Sequence, residues 1–336
     1  ELPASWLAFP CSGSSTDPDL VLSTTMQKRL LTGLQSSGTL HLGNYFGALK
    51  PFLDVYAEYE SHLMVADYHA LTTMRDPEML REAVKNITRA YLAAGVDPTR
   101  AIIFQQSEVP EHTELAWILE CLVSVSFLQQ AHAYKDKTAR GAEASAGLFN
   151  YPILMAADIL LYDTALVPVG EDQRQHIEYT REAAGKFNRA YGQIFTAPEP
   201  LILAATGVVP GTDGYKMSKS YKNTIPLFAE PDEIKKAVMS IVTDSEGTHP
   251  THVYNIHRLI QTEETLDVLY RDHAGKYKFL KECLAADLIQ FFAPLRERYY
   301  AIPDETVESV LRNGGERARS VAAVKMDAIR RATGVR

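Results

Sequence analysis

Short apolar segments alternate with longer amphipathic segments through the first two-thirds of the chain, and this alternation limits the possible folds more than any other feature. The apolar segments predict strands at 29–32, 63–67, 101–104 and 165–169. Strands that alternate with helices in this way predict a parallel sheet with helices on both faces. We therefore expect an α/β protein with a Rossmann-like sheet, whose ligands bind at the carboxyl ends of the strands.

The predicted helices lie between these strands and after them. Asp76-Pro77 begins one helix, because aspartate caps a helix N-terminus and proline fits its first turn, and Gly95 ends it. Others are expected at 45–59, 110–122, 150–161 and 172–189. After about residue 224 the pattern is helical throughout, from 231–233 through 266–298 to 307–332, with a break at Gly314-Gly315. We expect a poorly ordered extension over 1–25, a Rossmann-like domain over 26–224 and an all-helical domain over 225–336.

Composition argues against several classes of protein. A net charge of −8 does not suit a protein that coats nucleic acid, since such binding depends on dense Lys and Arg. Cys11, Cys121 and Cys283 form no CxxC pair, so we expect neither a metal held by the protein nor disulfides, and a reducing cytoplasm. The most apolar stretch, 153–162, is too short to span a membrane. The first basic residue is Lys28, which argues against a secretory signal.

A glycine-rich segment, Gly33-Leu-Gln-Ser-Ser-Gly-Thr-Leu-His-Leu-Gly-Asn44, follows the first predicted strand and precedes a helix. Glycines let a backbone approach phosphate closely, and a helix N-terminus favours anions. His41 and Asn44 are three residues apart, so both can donate hydrogen bonds to one phosphate ligand. The alternative is a plain glycine-rich turn without a ligand.

A second segment, Lys216-Met-Ser-Lys-Ser220, follows Gly211, Asp213 and Gly214 and therefore lies on a predicted loop. Two lysines that flank a hydroxyl group form a movable clamp of positive charge. Such a clamp suits the negative charge that develops on phosphates as pyrophosphate leaves. The alternative is a solvated basic loop.

Together the two segments resemble the two signatures of class I aminoacyl-tRNA synthetases, in the same order and at a similar separation. From about Leu30 to the C-terminus the chain is similar to the bacterial tryptophanyl-tRNA synthetase family. The supporting strings are His41-Leu-Gly-Asn-Tyr-Phe-Gly-Ala48, Asp67-Tyr-His-Ala-Leu-Thr72, Phe149-Asn-Tyr-Pro-Ile-Leu-Met-Ala-Ala-Asp-Ile-Leu-Leu-Tyr162 and Val167-Pro-Val-Gly-Glu-Asp-Gln173.

One of these strings also has a physical interpretation. Tyr151, Met155 and Asp158 share one face of a predicted apolar helix, because they are spaced i, i+4 and i+7. A carboxylate accepts hydrogen bonds and an indole N–H donates one, so Asp158 suits tryptophan. Met155 offers a polarizable contact to the ring. From spacing alone a structural carboxylate, paired with backbone or arginine, stays open; the resemblance favours the indole contact.

The resemblance implies roles for individual residues. The implied catalytic residues are His41, Asn44, Lys216 and Lys219. The implied ATP-binding residues are Gln35, Ser36, Gly43, Asn44, Lys135, Lys137, Gly170, Asp172, Gln173, Lys216, Met217, Ser218 and Lys219. The implied tryptophan-binding residues are Leu31, Gly33, Gln35, His69, Tyr151, Met155, Asp158, Val167, Val169 and Gln173. Without the resemblance, His69 is a core histidine and Lys135 and Lys137 are solvated charges.

The resemblance further implies a tryptophan-tRNA ligase that uses ATP and Mg²⁺, binds tRNA through its helical domain and forms a homodimer in the cytoplasm. Basic residues for tRNA are expected among Arg312, Arg317, Arg319, Lys325, Arg330 and Arg331, although a solvated helix face is the alternative. Rival interpretations are a tyrosyl-tRNA synthetase and a synthetase-like binding or regulatory protein. The chain departs from the family at Ser36, where a loop-stiffening proline is usual.

Overall fold

A computed structural model describes residues 27–36, 38, 40–131, 134–135, 143–169, 174–201, 209–243 and 250–335. Within them, five parallel strands form one sheet in the order β3-β2-β1-β4-β5. Helices cover both faces of this sheet, so the predicted Rossmann-like α/β class is confirmed. The predicted extension over 1–25 lies outside the described residues.

The strands are β1 (Arg29–Gln35), β2 (Glu60–Ala66), β3 (Ala101–Gln105), β4 (Leu166–Pro168) and β5 (Glu199–Leu201). The four predicted strands are present, with β1 and β3 longer than predicted, β2 beginning three residues earlier and ending one residue earlier, and β4 shorter by one residue at each end. β5 was not predicted, because three residues that include Pro200 carry no strand pattern. It nevertheless pairs in parallel with β4 at the edge of the sheet.

The helices of the α/β region begin at capping residues. Helix α1 comprises Leu42–Asn44, a π-helical segment Tyr45–Leu49 and Lys50–Val55, so it begins three residues earlier than predicted. Ser145 caps a helix that was predicted to open at Asn150, because its hydroxyl accepts from the Leu148 N–H. Asp76 caps α3 and Gly95 ends it in a left-handed conformation, as predicted. The remaining elements are α2 (Asp67–Ala70), α3 (Pro77–Ala93), α4 (Glu111–Glu120), α5 (Val125–Leu128), α6 (Ala146–Leu160) and α7 (Arg174–Tyr191).

The C-terminal region is helical in its described part, as predicted, but two boundaries differ. Its helices are α8 (Pro231–Met239), α9 (Thr251–His257), α10 (Glu263–Asp272), α11 (Tyr277–Ala301) and α12 (Asp304–Thr333). The predicted segment 266–298 is two helices, because Gly275 adopts a positive φ between α10 and α11. The predicted break at Gly314-Gly315 is wrong, since α12 continues through both glycines.

Close packing explains those two glycines. A Cβ on Gly314 would stand 1.7 Å from the backbone oxygen of Ile103 in β3, and a Cβ on Gly315 would stand 2.2 Å from a carboxylate oxygen of Glu108. Only glycine lets α12 lie this close to the strand. The last helix therefore packs against the α/β sheet, and Ala318, Ala322, Met326 and Ile329 join its core.

Alternate residues of the central strands divide the core into two layers. Leu30 and Leu63 face one layer, which α1, α3 and α11 complete, while Leu31 and Met64 face the other, which α4, α6, α7 and α12 complete. The order of the strands reverses direction between β1 and β4. Crevices for ligands form where that reversal occurs in open parallel sheets. No helix among the described residues combines the length and apolarity needed to cross a membrane.

Candidate active site

A cavity of about 640 Å³ opens at the carboxyl ends of β1 and β4, where the strand order reverses. Helix α1 forms one wall, α6 another, and the 209–217 segment a third. Most of the residues predicted from sequence for ATP and tryptophan lie on these walls, namely Leu31, Gly33, Gln35, His41, Gly43, Asn44, His69, Tyr151, Met155, Asp158, Val167, Val169, Lys216 and Met217.

Other predicted residues lie elsewhere. Ser36 is fully buried, and its N–H and hydroxyl both lie 3.5 Å from the backbone oxygen of Ala66. A proline at this position would have no N–H, so it could not make the backbone contact with Ala66 of β2 that Ser36 makes. Lys135 is exposed, beside Tyr134, whose ring contacts Phe149 of α6. The predicted Lys137, Gly170, Asp172 and Gln173 lie outside the described residues.

Asp158 is a buried carboxylate at the end of the cavity, and three side chains hydrogen-bond to it. Gln106 Nε2 donates to Oδ1 at 2.8 Å, and His112 Nδ1 lies 2.6 Å from the same oxygen. His69 Nε2 lies 2.8 Å from Oδ2. Among the described residues, its hydrogen-bond partners are two histidines and an amide rather than a backbone group or an arginine.

These donors keep Asp158 ionised. Burial alone raises the pKa of a carboxyl group, but the hydrogen bonds and charges of His112 and His69 outweigh it and lower the pKa of Asp158 to about 2. The carboxylate therefore accepts hydrogen bonds at neutral pH and donates none. Such a group is complementary to a ligand N–H that reaches the end of the cavity.

The wall beside Asp158 is mainly apolar and aromatic. Met155 and Tyr151 lie one and two turns from Asp158 toward the start of α6, while Val167 lies in β4 and Val169 just after it. The Tyr151 hydroxyl lies 3.1 Å from His176 Nε2. Burial and the nearby Tyr179 raise the pKa of Tyr151 to about 12, so it remains a neutral phenol. This end of the cavity suits a large aromatic ring that carries one donor.

The opposite end of the cavity is the N-terminus of α1. The Asn44 side chain accepts from the backbone N–H of His41 at 3.1 Å, which caps the helix. His41 is buried, and its Nδ1 has no hydrogen-bond partner within the described part of the chain. Burial and the charge of Lys219 lower the pKa of His41 to about 4. His41 is therefore a neutral imidazole beside a helix N-terminus, which favours anions.

The lysine loop contacts the same helix N-terminus. The N–H of Gly43 donates to the sulfur of Met217 at 3.3 Å, and Lys219 Nζ lies 3.9 Å from where a Cβ on Gly38 would stand. The two signature segments are therefore adjacent, although about 170 residues separate them. Burial lowers the pKa of Lys219 to about 8. Its ammonium group is held near the glycine-rich loop rather than in open solvent.

Asn223 organises this loop and was not predicted from sequence. It is buried, and its side chain accepts from the Ser218 N–H at 2.7 Å. Its amide nitrogen donates to the Asp213 carboxylate at 2.7 Å and to the Lys216 backbone oxygen at 3.0 Å. Gln106 and His112 were missed as well, because each lies on a different element from Asp158 and no spacing relates them. A polar residue just after a short motif is the only signal that could have indicated Asn223.

Comparisons with known proteins show the family of the chain. A family model described as class I tRNA synthetases (W and Y) matches residues 24–289. The tryptophan-tRNA ligase of Fusobacterium nucleatum is 45% identical over 310 residues, which cover 89% of this chain and 95% of that protein. The corresponding ligase of Rhodopirellula baltica is 45% identical over 319 residues, which cover 92% and 100%. A crystal structure of the Campylobacter jejuni tryptophanyl-tRNA synthetase with ADP and tryptophan has a TM-score of 0.82 at 40% identity, covering 91% of this chain and 99% of that one.

Proposed function

The chain belongs to the class I tRNA synthetases of the tryptophan and tyrosine family, as a tryptophan-tRNA ligase of the bacterial type, and we propose how its residues divide the reaction. Asp158 accepts the indole N–H of tryptophan, while Tyr151, Met155, Val167 and Val169 enclose the ring. The observation that carries this proposal is the ionised, buried carboxylate at the apolar end of the cavity. Tyrosine is not the expected substrate, because the relatives that the chain resembles over most of its length are tryptophan-tRNA ligases.

The reaction has two steps. The tryptophan carboxylate attacks the α-phosphate of ATP and expels pyrophosphate, which gives tryptophanyl-adenylate. The terminal ribose of tRNA then takes the acyl group and AMP leaves. The attacking carboxylate is already ionised, so the first step needs no general base. Catalysis in this proposal comes from positioning and from stabilisation of charge on the phosphates.

We assign the phosphate end of the cavity to His41, Asn44, Lys216 and Lys219. His41 donates as a neutral imidazole, since burial and Lys219 lower its pKa to about 4. Lys219 supplies positive charge as the pyrophosphate leaves, and Asn223 holds the loop that carries it. The predicted Gln35 has a positioning role here, because its amide donates to the His69 backbone oxygen at 3.0 Å.

Mg²⁺ enters this proposal as part of the ATP complex. No group of three His, Cys, Asp or Glu side chains with metal-binding geometry occurs among the described residues. Phosphate oxygens are preferred ligands of Mg²⁺. Mg²⁺ held by the ATP phosphates would supply charge neutralisation, while the protein side chains would bind the phosphates directly.

We propose that tRNA contacts the helical region, which begins after residue 224 in the predicted division into domains. Three of the six basic residues predicted for tRNA binding on α12 are unsuitable, because each forms an ion pair with an acidic residue of the α/β region. The pairs are Arg319 with Glu111, Lys325 with Asp163 and Arg330 with Glu114. These pairs join α12 to the sheet. We therefore place the tRNA contacts on surfaces other than these three side chains. We also propose that the protein acts in the cytoplasm, where ATP and tRNA are both present.

A homodimer is proposed from the surface of α4 and α5. Trp117 is 68% exposed and Val125 is 63% exposed, with the exposed Cys121 between them in sequence. The two side chains belong to successive helices, α4 and α5, and large exposed apolar side chains on neighbouring elements indicate an interaction surface. Sedimentation analysis tests the proposal: the chain should sediment as a dimer, and Trp117→Glu should shift it toward the monomer. A monomeric wild-type chain would contradict it.

ATP–pyrophosphate exchange with tryptophan and with tyrosine tests the substrate, and charging of tryptophan tRNA tests the second step. Exchange should require tryptophan, and the same preparation should charge tRNA. Lys219→Ala serves as a control that abolishes most exchange. Exchange with tyrosine in place of tryptophan, or adenylate formation without charging of any tRNA, would overturn the proposal.

A further inference from the structure

The carboxylate of Asp158 has one oxygen toward the core and one toward the cavity. Oδ1 receives Gln106 and His112, which are both fully buried and do not line the cavity. Oδ2 contacts His69, which does line it. A ligand donor can therefore reach Oδ2, whereas Oδ1 already accepts hydrogen bonds from two side chains on the core side.

The buried donors have a fixed orientation. The Tyr68 N–H donates to Gln106 Oε1 at 3.1 Å, so the amide nitrogen of Gln106 must point to Asp158. His112 Nε2 lies 2.8 Å from the hydroxyl of Tyr162, and burial keeps that hydroxyl protonated by raising its pKa. When Tyr162 donates to Nε2, the ring of His112 carries its proton on Nδ1, which donates to Asp158 Oδ1. Each polar side-chain atom in this series of hydrogen bonds, from Tyr162 through His112 to Asp158, then has a partner, as buried polar groups require.

We propose that His112, held by the Tyr162 hydroxyl, is a positioning residue for tryptophan specificity: it fixes the Asp158 carboxylate with Oδ2 toward the cavity, where it accepts the indole N–H. This inference rests on the proposed role of Asp158. His112 does not touch the substrate, so its effect passes entirely through the carboxylate. Loss of the donor lets the carboxylate turn and leaves a buried charge with fewer hydrogen bonds, which costs free energy.

The test uses a substrate pair that differs only in the indole N–H: tryptophan and β-(3-benzothienyl)alanine, in which sulfur replaces the nitrogen. The ratio of kcat/KM for the two in ATP–pyrophosphate exchange measures recognition of that N–H. His112→Leu should lower this ratio about tenfold, because a carboxylate that is no longer held by His112 makes the strong, charge-assisted hydrogen bond to the indole N–H less often. The loss should appear in KM for tryptophan, with KM for ATP unchanged.

Two further variants separate positioning from general damage to the core. His112→Asn retains an amide donor near the position of Nδ1 and should restore most of the ratio. His62→Leu is the matched control, because His62 is also fully buried, its ring lies 4.9 Å from that of Tyr162, and neither of its nitrogens has a hydrogen-bond partner in the described chain. It should retain the wild-type ratio.

An unchanged ratio in His112→Leu, or an equal loss in His62→Leu, would overturn the inference. If His112→Leu does not fold, Tyr162→Phe replaces it and should lower the ratio by a smaller factor; an unchanged ratio there would overturn the inference as well. Asp158→Asn distinguishes this failure from failure of the proposed function. If Asp158→Asn keeps the wild-type ratio, the indole role itself is wrong; if only the His112 variants keep it, the positioning role is wrong.

Discussion

Replacing Asp158 with asparagine changes one atom of the side chain, and the structure determines which one. Oδ1 accepts from Gln106 and His112, so the amide oxygen of the variant must take that position. The amide NH₂ group then replaces Oδ2 and faces the cavity. It opposes the indole N–H with a second donor, while His69 can accept from it by changing tautomer. The fold is therefore expected to survive and the recognition of indole to fail.

The size of the effect follows from the lost hydrogen bond. A hydrogen bond to a charged group contributes about 1.5–3 kcal/mol, and each 1.4 kcal/mol is about tenfold in rate. Asp158→Asn should therefore lower kcat/KM for tryptophan by about 10–150-fold in ATP–pyrophosphate exchange, with KM for ATP nearly unchanged. A loss smaller than about threefold would refute the reasoning. So would an equal loss with benzothienylalanine, which has no N–H to lose.

Three further predictions concern the lysine clamp, a buried histidine and a close helix contact. Lys219→Ala should lower the activation rate about 10²-fold or more without changing tryptophan affinity, while Lys235→Ala, on exposed α8, should have no effect; weaker tryptophan binding alone would argue against the clamp. Burial lowers the pKa of His62 to about 4, so the unfolded chain binds more protons between pH 6.5 and 4 and stability should fall as pH falls through that window. The loss should approach roughly 3 kcal/mol, and in urea unfolding His62→Phe should flatten this pH dependence; an equal slope in both proteins would contradict it. Gly314→Ala should lower the free energy of unfolding by about 1–3 kcal/mol, whereas Gly185→Ala, whose Cβ meets only the flexible end of an arginine, should be neutral or stabilising; equal free energies of unfolding for the two variants would show that α12 can move away from β3.

Much of the fold follows from local patterns, because strand and helix periodicity and helix caps are properties of neighbouring residues. Asp76 and Gly95 bound their helix as predicted. β5 could not be predicted, since it exists through pairing with β4 and not through its own three residues. The glycines of α12 were misinterpreted for a related reason. Glycine lowers helix propensity, but at Gly314 the contact with a distant strand outweighs that cost.

The candidate site also combines residues that local spacing indicates with residues that only the tertiary structure brings together. Tyr151, Met155 and Asp158 lie on one helix, so their spacing alone indicated a shared face, and the cavity walls include all three. The two partners of Asp158 that were not predicted, His112 and Gln106, are 46 and 52 residues away in sequence, on α4 and in the segment after β3. Only the tertiary structure brings them to one carboxylate. The contact between Met217 and Gly43 spans 174 residues and was equally beyond local reasoning.

A crystal structure of the chain with tryptophan would test the central claim most directly, through the distance between the indole nitrogen and Asp158 Oδ2. The account predicts a hydrogen bond of about 2.7–3.2 Å, with Oδ1 still bound to His112 and Gln106 and the ring between Met155 and the two valines, Val167 and Val169. An indole nitrogen directed away from Asp158, or a ring bound outside this cavity, would contradict it.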